Sequence, residues 1–302
     1  MLEDKKVLVT GPTGQVAFPF TLALAKNNDV WGAARFSDPE KRQALEDGGV
    51  TCVATDLGSG EFDDLPTDFD YVLNLAVARS PEPDFDADLR ANAEAVGLLM
   101  EHCRNAKAFL HCSTTGVYYP KGRDPLVEND PLGDNHRVMM PTYSIAKISA
   151  EAVARTAARL YQLPTIITRL NTPYGNNGGW MYYHLLMMKN DVEIPIHTDG
   201  PNVYTPIHED DIIELFPALL DHASVPARIV NVCGQEHVSI EEWCKFMGEL
   251  CDLEPRFAPT TNTLESVVSD NAAQQELVGP AKVNWQEGLR RMIEARHPDW
   301  LA

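Results

Sequence analysis

VLVTGPTGQVAF, residues 7–18, is the stretch on which the fold depends. An apolar, β-branched run leads into glycines at positions 11 and 14, and a segment of helical character follows. A strand, a glycine turn and a helix in this order are typical of a unit that holds a dinucleotide pyrophosphate at the helix N-terminus. The third glycine of the usual pattern is replaced by Ala17, so the motif alone fits a cofactor site and an ordinary tight turn equally well.

The order of strand, turn and helix is repeated along the chain. Short apolar runs alternate with longer helical patterns, which indicates parallel strands joined by crossover helices. Near-continuous apolar character in these runs favours strands that are buried on both faces of a sheet. The sequence therefore predicts an α/β fold, a Rossmann-type doubly wound parallel sheet. Predicted strands begin at residues 6, 29, 50, 71, 108 and 164, and predicted helices cover 15–27, 38–47, 86–105, 142–161, 210–222 and 239–251.

The character of the sequence changes after residue 172. NTPYGNNGGW is loop-like, WMYYHLLMMK is an aromatic and methionine-rich helix candidate, and short strand candidates follow it at 192–197, 203–207 and 228–232. We expect a dinucleotide-binding domain over residues 1–172 and a smaller, interwoven C-terminal substrate-binding domain over most of 173–302. A strand and helix around 203–222 are expected to return to the first domain.

Composition and charge exclude several classes of function. The chain has 302 residues and a formal net charge of −19, which argues against nucleic-acid or anionic-membrane binding because both need basic surface. Its apolar runs are too short to cross a bilayer, and residues 1–6 lack a charged-then-apolar pattern, so no leader is expected before the first strand. The six cysteines form no zinc spacing and fit reduced thiols, so we expect a cytoplasmic protein. No metal site is predicted, because the acidic residues after His208 fit a helix cap better.

The glycine turn supplies the first candidates for a cofactor site. Gly11 permits the tight turn, and Gly14 lets the backbone approach a pyrophosphate closely. After the third predicted strand Asp56 would accept hydrogen bonds from an adenine amine, and after the fourth strand small residues such as Ala76 leave room for cofactor. A helix cap at Asp56 and core packing at Ala76 are the structural alternatives. The candidate cofactor-binding residues are Gly11, Thr13, Gly14, Gln15, Val16, Asp56, Leu57, Leu75 and Ala76.

The end of the second predicted strand bears on which dinucleotide binds. NAD-specific sites usually hold the ribose 2′-hydroxyl with a carboxylate at this point, whereas an arginine accommodates a 2′-phosphate. Here Ala34 stands in the acidic position and Arg35 follows it. The sequence therefore favours NADP over NAD, the alternative being that Arg35 is a surface residue paired with Asp38.

A tyrosine and a lysine in the segment YSIAK predict the chemistry. Tyr143 and Lys147 are spaced i and i+4, which places them on one face of a helix. The phenol of a tyrosine in a free peptide ionises near pH 10. A nearby ammonium, reinforced by an oxidised nicotinamide, would lower that pKa and let the tyrosine exchange a proton near neutral pH. Upstream, Ser113, Thr114 and Thr115 offer hydroxyls to orient a substrate carbonyl or alcohol.

Six elements in order resemble the extended short-chain dehydrogenase/reductases, the superfamily of NAD-dependent epimerases and dehydratases. They are TGPTGQVA for TGxxGxxG, NLAV for an NxAA-type element, STTGVY for the hydroxyl strand, YSIAK for YxxxK, IHEDDI for HVxD, and VNVCGQEHVSIEE for a late strand, loop and helix. The resemblance runs nearly end to end. It implies an enzyme, an NAD(P)-dependent oxidoreductase or epimerase.

The resemblance also implies roles for individual residues. Tyr143 would be the general acid/base, and Lys147 would hold the nicotinamide ribose and lower the pKa of the tyrosine. Thr114 would orient the reacting oxygen. Asn92 matches a helix asparagine with a structural or proton-relay role, and Pro173 would lie beside the nicotinamide. Ordinary polar packing is the alternative for Thr114 and Asn92.

Departures from the family pattern bear on the substrate. Thr115 and Gly116 replace the Asp–Glu pair of the sugar-nucleotide dehydratases, so water elimination is not expected. Tyr204 stands where the epimerases carry an arginine for a nucleotide diphosphate. The loop and helix after residue 175 contain one lysine and no arginine, and their aromatic residues fit either a stacking lid or a core stripe. The candidate substrate-binding residues are Thr115, Tyr174, Trp180, Tyr183 and Tyr204.

These features lead to one main expectation about function. The chain would transfer a hydride between a nicotinamide and a carbonyl or hydroxyl carbon, on a small-molecule substrate that is not a nucleotide diphosphate sugar. The alternatives are a sugar-nucleotide epimerase with tightly bound NAD and a catalytically silent cofactor-sensing protein. A homodimer is expected, because the helices predicted at 86–105 and 142–161 resemble the pair that builds a four-helix interface in this family.

Overall fold

A seven-stranded parallel sheet forms the centre of the molecule in this computed structural model, which describes residues 2–80 and 82–301. The strands are β1 (Lys6–Thr10), β2 (Asp29–Ala34), β3 (Thr51–Ala54), β4 (Tyr71–Asn74), β5 (Ala108–Thr114), β6 (Thr165–Leu170), β7 (Pro173–Gly175), β8 (Gly178–Gly179), β9 (Ile194–His197), β10 (Val203–Tyr204), β11 (Ile207–His208), β12 (Arg228–Val232), β13 (Val238–Ser239) and β14 (Phe257–Thr260). Across the central sheet the order is β12-β6-β5-β4-β1-β2-β3, with every neighbouring pair parallel. The strand order reverses between β1 and β4, which is where ligands bind in sheets of this kind. The predicted α/β, doubly wound fold is confirmed.

Helices cover both faces of the sheet and build a second layer. They are α1 (Ala17–Ala25), α2 (Pro39–Asp47), α3 (Phe85–Leu89), α4 (Ala95–His102), α5 (Tyr143–Tyr161), α6 (Trp180–Lys189), α7 (Glu209–Leu220), α8 (Ile240–Cys251), α9 (Ala272–Val278) and α10 (Trp285–Arg296). Local sequence explains several of their starts. Asp38 caps α2 by accepting from the Lys41 amide, with Pro39 in the first turn, and Ser239 and Glu242 form a capping box on α8.

Burial on both faces explains the apolar strands. All six residues of β6 are buried, as are the last four of β1. On one face Phe20 of α1 packs against Phe216 of α7, with ring centroids 6.0 Å apart. On the other face the alanines of α5 let this helix approach the sheet, and an added Cβ at Gly97 would lie 3.0 Å from Val153. Tight packing of α4 against α5 follows from these small side chains.

The helix predicted over 86–105 is interrupted. A π-helical turn at Arg90–Glu94 separates α3 from α4. In this turn the Asn92 amide donates to the carbonyl oxygen of Asp88 at 2.8 Å and to that of Ala78 at 2.9 Å. The side chain thus reaches outside the helix, and such turns are frequent at functional sites. Residue pattern alone does not distinguish a π-turn from an α-helix.

A second layer is built on α6, α8 and α10. Its core is aromatic and methionine-rich, with Trp243 and Met181 fully buried. After passing through part of this layer the chain returns to the central sheet, where β12 is the edge strand beside β6. The sheet layer thus takes in 228–232 and the helix α7 that was expected to return. The strands of the same span do not join the central sheet, because β10 pairs with β13 and β11 pairs with β7. The domain division at residue 172 stays a prediction.

Two general features complete the fold. Within residues 2–80 and 82–301, no helix has both the length and the apolar character needed to cross a bilayer. All six cysteines are free thiols. The elements β14, α9 and α10 were not predicted from the sequence. The first two are short, whereas α10 does show helical spacing in its buried Leu289, Met292 and Ile293.

Candidate active site

The glycine turn lies between β1 and α1, at the carboxyl edge of the sheet. Gly11 has a φ of +65°, its amide donates to Ala33 at 2.9 Å, and an added Cβ would lie 2.8 Å from the Cα of Ala76. Position 11 therefore needs glycine both for its conformation and for the close approach of the β4 end. Ala17 is buried at the start of α1, where a small side chain is enough.

The first turn of α1 presents backbone amides without a side-chain cap. No side chain among the described residues caps this helix at Val16. Gly14 is exposed on the turn, and Lys41 donates from Nζ to the carbonyl oxygen of Thr13 at 3.0 Å. Uncapped amides at a helix N-terminus beside a cation suit an anionic group such as a pyrophosphate. Sequence reasoning missed Lys41, which α2 brings next to the turn.

The end of β4 is fastened to the end of β1. Thr10 donates from Oγ1 to Asn74 Oδ1 at 2.6 Å, and the same hydroxyl accepts from the Ala76 amide at 3.2 Å. Asn74 also pairs with His111 of β5 at 3.0 Å. Leu75 and Ala76 are half-buried directly beyond this network. The predicted cofactor residues of the turn and of the β4 end therefore lie side by side.

Arg35 and Asp56 are at the ends of β2 and β3. Arg35 is exposed, and within the described ranges it has no ion pair, because the Asp38 carboxylate caps α2 instead. Asp56 is exposed and accepts from the Gly58 amide at 3.0 Å, so it caps the short 3-10 turn that begins at Leu57. This hydrogen bond is the helix cap that was one interpretation of Asp56. The role of Asp56 in binding a cofactor stays a prediction.

Thr114, Tyr143 and Lys147 meet where β5 ends and α5 begins. Tyr143 is the first residue of α5 and is half-buried, and Lys147 is buried one turn later. Lys147 donates from Nζ to the Cys112 carbonyl oxygen of β5 at 2.6 Å. Thr114 is buried, and its hydroxyl accepts from the Gly116 amide at 3.1 Å. The i, i+4 spacing thus turns both α5 side chains towards β5.

Burial dominates the protonation of this pair. It raises the pKa of Tyr143, while the Thr114 hydroxyl and the charge of Arg79 act in the opposite direction. Burial lowers the pKa of Lys147, against the charge of Glu151. Tyr143 is therefore a protonated phenol at neutral pH in this structure, able to donate to a carbonyl oxygen.

Asn92 fastens the loop that follows β4. Its Oδ1 accepts from the Ala78 amide and its Nδ2 donates to the Ala78 carbonyl oxygen, both at 2.9 Å. Nearby, Asp88 accepts from Ser80 Oγ at 2.8 Å and from Thr142 Oγ1 at 2.5 Å. The loop is thereby tied to the residue that precedes Tyr143. The amide of Asn92 is engaged with backbone atoms of Ala78 and Asp88, and its role in the reaction stays a prediction.

The predicted substrate residues lie in different surroundings. Tyr174 and Tyr204 are fully buried in the second layer, where the Tyr204 hydroxyl donates to the Glu265 carbonyl oxygen at 2.7 Å. Trp180 is half-buried with its ring centroid 5.0 Å from that of Tyr204, whereas Tyr183 is 62% exposed. Thr115 is buried next to Thr114. Of the five, Thr115 directly follows Thr114 and so adjoins the Tyr143 site.

A loop from the second layer crosses the glycine turn. Asn177 donates from Nδ2 to the Gln15 carbonyl oxygen at 2.7 Å. The buried Glu209 carboxylate, at the start of α7, accepts from the amides of Asn176 at 2.9 Å and Asn177 at 3.1 Å. Pro173 is half-buried at the start of β7, which leads into this loop. No sequence pattern indicates the contact between Asn177 and Gln15, because the two residues are 162 positions apart.

Comparisons with known proteins agree with this geometry. The model of the NAD dependent epimerase/dehydratase family matches residues 7–233. A trifunctional UDP-glucose 4,6-dehydratase/UDP-4-keto-6-deoxy-D-glucose 3,5-epimerase/UDP-4-keto-L-rhamnose-reductase of Arabidopsis thaliana is 27% identical over 335 residues, covering 99% of this chain and 48% of the relative. The chain thus spans about half the length of the first curated relatives that it matches.

Two solved structures have the same fold. A UDP-glucuronic acid 4-epimerase from Bacillus cereus, in complex with UDP-glucuronic acid and NAD, has a TM-score of 0.84 at 22% identity, covering 96% of this chain and 98% of that chain. A dTDP-glucose 4,6-dehydratase from Streptomyces venezuelae with NAD has a TM-score of 0.81 at 19% identity, covering 98% of each chain. The family match confirms the predicted enzyme class and a nicotinamide cofactor.

The expectation about the substrate is wrong. The relatives and solved neighbours cited here are named for nucleotide sugars or contain them. They overturn the expectation that the substrate is not a nucleotide diphosphate sugar. The expectation depended on Tyr204 in place of an arginine and on the lack of cations after residue 175. One missing cation does not exclude a diphosphate, because backbone amides and arginines of other elements also bind phosphate.

Proposed function

The chain belongs to the NAD dependent epimerase/dehydratase family, and from this premise we propose that it is an NAD-dependent epimerase of a nucleotide sugar. The observation that carries the proposal is the grouping of Thr114, Tyr143 and Lys147 at the carboxyl edge of a sheet whose neighbouring turn suits a pyrophosphate. In such an enzyme one sugar carbon is oxidised and then reduced on its other face. The substrate and activity of the whole protein are part of this proposal.

NAD is the cofactor that we propose. The residues present fit a dinucleotide, because Gly11 leaves no Cβ between the turn and Ala76, and because the first amides of α1 have no side-chain cap. When bound, the nicotinamide supplies reversible hydride acceptance. The exposed Arg35 motivated an expectation of NADP, but the family is described as NAD dependent and the solved neighbours hold NAD.

The residues of this chain have separable tasks in the proposed reaction. Tyr143 takes the proton of the sugar hydroxyl as its carbon is oxidised, and returns it when the ketone is reduced. Burial raises the pKa of Tyr143, while the Thr114 hydroxyl and the charge of Arg79 lower it. The positive charges of Lys147 and of a bound oxidised nicotinamide would further favour acceptance of that proton. The Thr114 hydroxyl lowers the same pKa and orients the reacting oxygen.

Epimerisation is favoured over water elimination at this site. Elimination needs an acid and a base beside the sugar, in addition to the tyrosine. The residues that follow Thr114 are Thr115 and Gly116, neither of which titrates near neutral pH. The dehydratase activity named for some relatives is therefore not carried over to this chain.

Incubation with UDP-glucose, UDP-glucuronic acid and dTDP-glucose tests the proposal. We expect at least one of them to give a product of unchanged mass with one inverted carbon, measured by mass spectrometry and NMR. We also expect the protein to release more NAD than NADP when it is denatured. This holds for the protein as purified and for protein that was first incubated with both NAD and NADP. Loss of one water would identify a dehydratase instead, and absence of both binding and conversion across the three sugars would contradict the proposed substrate class.

We also propose that the protein is a homodimer formed through α4 and α5. Both helices carry apolar side chains on the surface of the described chain, with Leu98 39% and Leu160 71% exposed. Covering such residues would remove apolar surface from water. We expect size-exclusion chromatography with light scattering to give the mass of two chains, and Leu98→Glu to shift it to one. A wild-type protein with the mass of one chain would refute the proposal.

A further inference from the structure

The segment before α5 brings a histidine against the catalytic tyrosine. The ring centroids of His136 and Tyr143 are 5.5 Å apart, at an interplanar angle of 44°. His136 is half-buried, and its amide donates to Asp134 Oδ1 at 3.3 Å, which helps to fix the loop. No step of the proposed reaction uses this imidazole.

The ring of His136 occupies the space that a side chain at position 116 would need. An added Cβ at Gly116 would lie 2.9 Å from Nδ1 and 3.0 Å from Cε1 of the His136 ring. Such distances are too short for carbon in contact with a ring, so any side chain at position 116 would displace the imidazole. The polar group next to Thr115 and Tyr143 is therefore supplied by the loop before α5 and not by a side chain at position 116.

Hydrogen bonds define which ring nitrogen of His136 carries the proton. Asn135 donates from Nδ2 to the Thr115 carbonyl oxygen at 3.0 Å, and this orientation points its Oδ1 at Nδ1 of His136. An amide oxygen only accepts, so Nδ1 carries the hydrogen. Nε2 then has a free lone pair, and it has no hydrogen-bond partner in the described part of the chain.

The surroundings keep this imidazole neutral. Burial and the positive charge of Arg79 lower the pKa of His136 to about 4. The charged or titratable groups that face it are Arg79, whose guanidinium is 5.8 Å from the Tyr143 ring centroid, the phenol of Tyr143, and Asp134 through the backbone amide. At pH 7 His136 is thus a hydrogen-bond acceptor at Nε2 and a donor at Nδ1.

We propose that Nε2 of His136 accepts a hydrogen bond from a substrate hydroxyl on a carbon next to the one that Tyr143 serves. This inference rests on the proposed function, since sugars carry hydroxyls on adjacent carbons. A phenol and a neutral imidazole in contact match two neighbouring hydroxyls, one that exchanges its proton and one that is only held. His136 is then a positioning and specificity residue, and Gly116 is the residue that makes room for it.

Substrate analogues and variants test the contact together. On the nucleotide sugar that the wild type converts, removing the hydroxyl next to the reacting carbon is expected to lower kcat/KM about 10-fold, the size of one hydrogen bond. His136→Phe keeps a flat ring against Tyr143 and is expected to show the same loss on the full substrate and no further loss on the deoxy analogue. Gly116→Ala is expected to resemble His136→Phe, and the exposed neighbour Val138→Ala is expected to behave as wild type.

The tautomer provides a readout that is independent of turnover. Nitrogen-15 NMR of histidine-labelled protein is expected to show, at pH 7, a neutral ring protonated at Nδ1, with its Nε2 signal moving when the nucleotide sugar is added. A ring protonated at Nε2, an imidazolium, or a His136→Phe variant that discriminates the deoxy analogue as the wild type does would overturn the inference. A wild type that binds and converts no nucleotide sugar would instead overturn the proposed function.

Discussion

Tyr143→Phe is expected to lower kcat by about 10²- to 10⁴-fold, because it removes the hydroxyl that we propose exchanges a proton with the reacting oxygen. The ring remains, so packing against His136 and the start of α5 are retained. Binding of NAD and of the nucleotide sugar is expected to stay within a few-fold of wild type, since the change removes a single hydroxyl. Steady-state kinetics and equilibrium binding on the same preparation separate the two effects.

Tyr119→Phe is the matched control for this variant. Tyr119 is 63% exposed and lies outside the site, so the loss of its hydroxyl is expected to leave kcat unchanged. Equal activity of Tyr143→Phe and wild type would contradict the assigned role. A loss that is confined to KM would point to binding alone.

Arg169→Leu is expected to lower the free energy of unfolding by about 3–5 kcal/mol, the usual effect of breaking a buried ion pair by removing one partner. Arg169 of β6 donates to the Glu151 carboxylate of α5 through two nitrogens, at 2.9 and 2.7 Å, and both side chains are only 3% exposed. Ser113 donates to the same carboxylate at 2.6 Å, and the guanidinium lies 4.7 Å from the Tyr118 ring centroid. Without Arg169, the buried Glu151 carboxylate keeps only the hydrogen bond from the Ser113 hydroxyl.

Arg256→Leu gives the comparison on the surface. Arg256 is 51% exposed, and it pairs with Asp191 and Glu193 at 2.9 and 3.1 Å. Exposed pairs contribute about 0–1 kcal/mol, so this variant is expected to be close to wild type in urea denaturation. The double change Arg169→Leu with Glu151→Leu is expected to recover part of the loss, because the buried charge is gone. Equal stability of Arg169→Leu and Arg256→Leu would show that the buried pair does not stabilise the fold as described.

The sequence was informative where chemistry depends on local spacing. The strand, glycine turn and helix at the start, and the i, i+4 pair of Tyr143 and Lys147, predicted the fold and the centre of the candidate site from neighbours in the chain. The hydrogen bond of Asp56 is likewise local, and the helix cap was one of its two interpretations.

Features that depend on distant residues were not predictable in the same way. Arg169 and Glu151 read as ordinary charged residues of a strand and a helix, and only the fold buries them together. The contact of His136 with Gly116 likewise needs the loop to fold back over β5. The substrate expectation failed for a related reason. It relied on Tyr204, which the fold buries in a core, and on the lack of cations after residue 175, and it left out phosphate contacts from other elements.

The return of β12 to the edge of the central sheet determines how the polypeptide can be divided. Asn231 of this strand accepts from the Tyr118 hydroxyl at 2.5 Å and donates to the Leu126 carbonyl oxygen at 2.9 Å, both from residues more than 100 positions earlier. A fragment that stopped at residue 172 would lack the neighbour of β6 and leave those buried groups unpaired. Residues 1–172 are therefore not expected to fold by themselves, because the edge of the central sheet is completed only when β12 pairs with β6.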